Sequence, residues 1–130
     1  MTYINESVFY GMEDSAHICM ARVKGYGGTL VTQAAVSSIA CKVFDLSGAT
    51  PDTAIISPVV TVGTSIYDAL QTDDQWSEDD TGYNFAFTVP KTGFPTGDHT
   101  YRVEFIVTPI AGDSFPLRPY RIYAAPIRSS

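Results

Sequence analysis

The side chains able to do chemistry are few in this chain and widely separated. The histidines are His17 and His99, and the cysteines are Cys19 and Cys41. A hydrolytic triad requires a nucleophile, a base and an orienting group within reach of one another. His17 falls in an alternating, strand-like stretch, and His99 opens another beside Asp98. Neither comes with a Gly-x-Ser-x-Gly elbow or a His-Glu-x-x-His helix. Gly25-Tyr26-Gly27-Gly28 is glycine-rich, but no helical pattern follows to offer its N-terminus to phosphate, so it reads as a turn. Cys19 and Cys41 lack the Cys-x-x-Cys spacing of a redox or zinc site, and free thiols packed as small apolar groups are expected. No enzymatic activity and no cofactor are expected.

Acidic residues are densest between 68 and 80, where Asp68, Asp73, Asp74, Glu78, Asp79 and Asp80 occur without a Lys or Arg. Several carboxylates on one loop can chelate calcium, which takes six to eight oxygens, making Asp73, Asp74, Asp79 and Asp80 the candidate metal ligands. The central Gly and terminal Glu of an EF-hand loop are missing, so a solvated acidic loop is the favoured reading. Trp76 lies in the same stretch and either covers an open end of the core or anchors an exposed contact. The charge reverses after Asp113, where Arg118, Arg121 and Arg128 are accompanied by no acid. Loop and tail can meet within one chain or between neighbouring copies.

The elements that hold these residues alternate with a period of two, and no segment sustains a helical apolar repeat. Tyr101, Val103, Phe105 and Val107 share one face of a strand, with Arg102 and Glu104 opposite. Tyr83, Phe85, Phe87 and Val89 share another, with Asn84, Ala86 and Thr88 opposite. Ile39, Cys41 and Val43 alternate with Ala40, Lys42 and Phe44 up to a turn at Asp45-Leu46-Ser47-Gly48. Further strands are expected from Ala16 to Lys24, Val59 to Val62, Ile66 to Leu70 and Phe115 to Ala124. Pro116 and Pro119 lack the amide donors a central strand needs, which predicts an edge or bulged strand there. Pro95-x-Gly97 ahead of Tyr101 has the form of a corner where a Tyr hydroxyl bonds back to the preceding backbone. About seven or eight short strands with frequent turns predict an all-β, antiparallel, two-sheet immunoglobulin-like sandwich.

The 130 residues fit a single domain spanning 1–130, with possible contact arms at 1–14 and 124–130. A formal charge of −6 argues against nucleic acid, whose phosphates need clustered Lys and Arg. No apolar run approaches the roughly eighteen residues needed to cross a bilayer, so no membrane role is expected. The first residues have no basic region leading into an apolar stretch, so no signal peptide is expected and the cytoplasm is the expected compartment.

Between residues 30 and 110 the chain resembles the short β-sandwich modules of tailed-phage and prophage structural proteins, among them baseplate, tail and head-associated proteins. The resemblance rests on Gln33-Ala34-Ala35-Val36 leading into Ile39-Ala40-Cys41-Lys42-Val43-Phe44-Asp45, on Thr81-Gly82-Tyr83-Asn84-Phe85, and on Phe94-Pro95-Thr96-Gly97 before Tyr101-Arg102-Val103-Glu104-Phe105. It implies a virion protein assembled in the host cytoplasm and acting through protein–protein contacts with other copies or other particle subunits. No small-molecule substrate is expected.

The apolar termini supply the candidate interface: Tyr3, Ile4, Phe9, Tyr10, Tyr120, Tyr123 and Ile127, with Arg128 and the loop residue Trp76. Burial against neighbours would stabilise each large apolar side chain by about 1.5–3 kcal/mol. The alternative is that both arms complete the domain's own sheets. Two other functions stand beside assembly. One is a carbohydrate-binding module that stacks sugars on Trp76, Tyr67 or Tyr83 near the acidic loop. The other is an adhesin-type or enzyme-accessory domain.

Overall fold

A computed structural model describes residues 7–25, 28–74, 76 and 79–127. Tyr3, Ile4 and Arg128, three of the candidate interface residues, lie outside the described residues. The strands are β1 (Ser7–Met12), β2 (His17–Ala21), β3 (Val36–Asp45), β4 (Ala54–Ile56), β5 (Ile66–Gln71), β6 (Tyr83–Val89), β7 (His99–Pro109), β8 (Phe115–Pro116) and β9 (Tyr120–Ala125). They form two sheets among the described residues. The larger has the order β1-β9-β7-β3-β4, with β8 beside β7, and the smaller has the order β2-β6-β5. The protein is all-β, as the alternation predicts.

Alternation places the core between the sheets. From β7, Tyr101, Val103, Phe105 and Val107 are all buried, as are Ile39, Cys41 and Val43 from its antiparallel neighbour β3. The smaller sheet answers with Cys19, Ile66, Phe85 and Val89. Phe105 sits at the centre, its ring 5.0 Å from Phe85, 5.9 Å from Phe87 and 5.8 Å from Tyr120. These edge-on contacts suit the positive rim and negative face of aromatic rings. The corner before β7 forms as expected: the Tyr101 hydroxyl accepts from Thr96 N at 2.9 Å and donates to Thr96 O at 3.1 Å. Tyr101→Phe keeps the ring but leaves both backbone groups short of a partner, and is expected to lower stability by about 1–2 kcal/mol. An unchanged urea midpoint would contradict this.

Two local readings differ from the structure, and one left open is decided. The stretch expected to be a strand at Val59–Val62 is not one: Val59 makes a single bridge to Ala40, and Val62–Ser65 is one helical turn, α1. Thr64 N and Ser65 N both donate to Thr61 O, and this turn carries the chain from the larger sheet to the smaller one. β-branched residues favour strands, but a crossover between sheets has no ladder to join.

The strand expected over Phe115–Ala124 is split. Leu117-Arg118-Pro119 separates β8 from β9, and Leu117 N keeps the bond to Phe105 O between the two prolines. β9 is not an edge: it lies between β7 and β1, because Pro116 and Pro119 both precede its ladder.

The N-terminal arm, read either as a contact arm or as completing the domain's own sheets, adds a strand to the larger sheet, in parallel where antiparallel pairing was expected. β1 pairs in parallel with β9 from Ser7↔Tyr120 to Met12↔Ala125. Both faces of this stretch are apolar, so it carried no polarity alternation to reveal it.

Candidate interaction surface

Asp79 is the hub of the acidic loop. Its Oδ1 accepts from Trp76 Nε1 at 3.0 Å, Thr81 N at 2.9 Å, Gly82 N at 3.1 Å and Arg22 Nη1 at 3.1 Å. The same guanidinium lies 2.9 Å from Oδ2 and also donates to Gly82 O. The Trp76 hydrogen bond, followed by those of the Gly82 backbone and the others, holds the Asp79 carboxyl well below the usual carboxylate range. Asp73 is also committed, its Oδ2 accepting the Tyr83 hydroxyl at 2.6 Å, which pushes that phenol up to about 12. Asp68 accepts from Gln33 N at 2.7 Å.

The candidate metal ligands Asp73, Asp74, Asp79 and Asp80 are therefore not gathered. Among the described residues no three His, Cys, Asp or Glu side chains group to hold a metal ion. Asp73 and Asp79 are spent on neighbouring side chains and, for Asp79, on the loop's own backbone, since short acidic side chains readily cap free amides in turns.

Trp76 is half-exposed, with its ring 5.6 Å from Tyr83, which in turn meets Tyr67 at 5.8 Å. On its open side it lines a groove of about 320 Å³ along the seam between the sheets, with Arg22, Leu117 and Arg118. The acidic loop and the basic C-terminal stretch thus flank one groove within a single chain. Tyr120 closes the floor of this groove. It is 3 % exposed and its hydroxyl donates to Met20 O at 2.6 Å, tying the larger sheet to β2. Tyr120, expected at an interface, is a core residue here, because its position on β9 faces the opposite sheet. Phe9 also turns inward, against Tyr120 and His17, and packs on the core.

Tyr10, Tyr123 and Ile127 lie on the outside. Tyr10 is 80 % exposed, and its strand neighbours on the same face, Val8 and Met12, are 57 % and 46 % exposed. Tyr123 contacts Tyr10 edge-on at 6.2 Å and donates its hydroxyl to Asp98 at 2.7 Å. Ile127 is 56 % exposed, and its N–H is held by Glu13 Oε1. A second apolar groove, about 590 Å³, opens at the end of the sandwich away from the Tyr101 corner, beside exposed Ile110.

The groups singled out for chemistry sit apart. Cys19 and Cys41 are free and buried, and burial pushes both thiols up, Cys41 to about 12. His99 Nδ1 pairs with Asp45 at 2.8 Å across neighbouring strands, not with Asp98. His17 lies between Phe9 and Phe94, and burial lowers its pKa below 6.5. The unfolded chain therefore binds the His17 proton more readily than the folded one, so stability falls as pH drops below the unfolded value. Between about pH 7 and pH 5, His17→Phe is expected to flatten the pH dependence of the urea midpoint. An identical slope in both proteins would remove His17 as its source. No helix among the described residues is long and apolar enough to cross a membrane. Set against family models, curated proteins and solved structures, the chain matches none.

Proposed function

We propose that this chain is a non-enzymatic structural protein of a phage or phage-derived virion, an immunoglobulin-like module acting through protein–protein contacts in an assembly. The observation that carries the reading is the row Val8, Tyr10 and Met12, exposed side by side on the outermost strand of the larger sheet. Large apolar side chains in a row on a sheet edge are costly to leave in water and prone to stray pairing. Such a surface is stable in a cell when a partner covers it.

The immunoglobulin-like reading is supported by the strand order. A three-stranded β2-β6-β5 sheet faces one in which β9, β7 and β3 adjoin, with β4 added beyond β3. This matches the order B-E-D against G-F-C with an extra C′ strand, and the Tyr101 corner opens the strand that corresponds to F. The virion itself is supported by the resemblance in the segments around Val36–Asp45, Tyr83 and Tyr101.

Particles purified on a density gradient from cells carrying the gene are expected to contain this chain in stoichiometric amount by mass spectrometry. Its absence from them would remove the virion reading. The half-exposed Trp76 beside Arg22 and Arg118 favours one other reading, a carbohydrate site. Tyr83 is buried and its hydroxyl is taken by Asp73, which leaves the partly exposed Trp76 and Tyr67 as the rings to stack on a sugar. Trp fluorescence titrated with oligosaccharides, with and without calcium, tests it, and a flat response across the panel discards it.

A further inference from the structure

We infer that the outer edge of β1 pairs with β1 of a second copy of this chain, antiparallel, about a twofold axis passing at Tyr10; this deepens the structural-protein reading and rests on it. The inference begins from how the sheet edges are treated. Every second residue of an edge strand turns its N–H and C=O outward, and proteins blunt such edges with short strands, bulges, charges or side-chain caps.

The other edges among the described residues are managed in this way, and β8, beside β7, is only two residues long and includes Pro116. At the far side of the larger sheet, β4 is three residues long and its register breaks between Val43 and Phe44 of β3. In the smaller sheet, β5 carries Asp68 and loses register between Ile66 and Gln71. Along β2, the Met20 carbonyl is taken by the Tyr120 hydroxyl.

Among the described residues, β1 has none of these devices. Its sequence Ser-Val-Phe-Tyr-Gly-Met holds no charge and no proline, and its register with β9 is unbroken over all six residues.

The occupant follows from charge and shape. The chain carries a formal charge of −6, so two copies repel unless they meet on an uncharged surface. β1 is that surface. The acid that follows it, Glu13, is turned back into its own chain, where its carboxylate accepts from Gly97 N at 2.9 Å and Ile127 N at 2.7 Å. A basic partner would find no acid on β1 to pair with.

Antiparallel pairing about Tyr10 sets Val8 opposite Met12 of the second copy and Tyr10 opposite Tyr10, apolar against apolar on the exposed face. On the other face it sets Phe9 opposite Gly11, a large ring beside a residue without a side chain. Tyr10 is steadied for this contact by Tyr123, itself bonded to Asp98. The pairing ends at Met12, because Glu13 and Asp14 turn away, Asp14 with a φ of 53°.

Size-exclusion chromatography with light scattering over about a hundredfold range of concentration tests the inference on the full chain. The wild type is expected to approach twice the chain mass as concentration rises. Tyr10→Lys and Val8→Lys, both at exposed positions, are each expected to weaken self-association about tenfold or more while leaving the far-UV circular dichroism unchanged. Hydrogen exchange of the β1 amides is expected to slow with concentration in the wild type alone. A wild type that stays monomeric throughout, or a dimer indifferent to both lysines, overturns the inference. The two readings fail separately. A monomeric chain still found in particles removes only self-pairing, and a dimer missing from particles removes only the virion.

Discussion

Asn84→Leu is expected to destabilise the protein by about 3 kcal/mol, although leucine has nearly the size of asparagine and the site is fully buried. β2 leaves its ladder with β6 after Ala21, and beyond that point the Asn84 carboxamide takes the place of a neighbouring strand. Its Oδ1 accepts from Val23 N at 2.6 Å, and its Nδ2 donates to Val23 O at 3.0 Å and Val31 O at 2.9 Å. Val31 N also donates to Val23 O, so that carbonyl keeps a partner without Asn84. Val23 N and Val31 O do not, and each buried orphan costs about 1–3 kcal/mol. Urea unfolding measures the loss, which would reach the segment 23–31 first and so speed hydrogen exchange there. A leucine variant as stable as the wild type would mean that this segment finds other partners and that the carboxamide is dispensable.

Gly82→Ala is expected to cost at least as much, about 3 kcal/mol or more, by a different route. Gly82 has a φ of 103°, where a side chain is strained, and an added Cβ would lie 2.3 Å from Gln71 O. That oxygen is backbone at the end of β5, facing Tyr83 across the ladder, and it cannot move without opening the pair. Gly82 also donates to Asp79 and accepts from Arg22, so a shift at this residue loosens the whole knot that seats Trp76. The variant should therefore lose thermal stability and show a red-shifted, more solvent-exposed Trp76 emission. Gly63→Ala is the control, since nothing lies within 4 Å of an added Cβ there. Equal melting temperatures for the two alanine variants would contradict the steric argument.

The central strands were legible in the sequence because their alternation is local and strong. β6 and β7 bury the faces assigned to them, and the Tyr101 corner closes on Thr96. What was misread had a non-local cause. Asn84 looked like an outward polar residue of β6, and it is buried because a segment some sixty residues earlier folds against it. Val59–Val62 has strand-forming residues but lies at a crossover between sheets. The acidic stretch was favoured as a solvated loop over a metal site, and in it Asp79 and Asp73 are spent on Trp76, Tyr83, Arg22 and free amides.

Among the candidate interface residues the same division holds. Tyr10, Trp76, Tyr123 and Ile127 keep some or most of their surface outside, while Phe9 and Tyr120 pack inward. By itself the sequence determined the central strands, their core faces and the burial of both thiols, because period-two alternation and turn residues act over a few neighbours. Only the tertiary structure decided which strand stands at the sheet edge, because that depends on how chain ends more than a hundred residues apart come to lie side by side. β9 settles between β7 and β1, and it is this placement that leaves Val8, Tyr10 and Met12 facing outward on an unblunted edge.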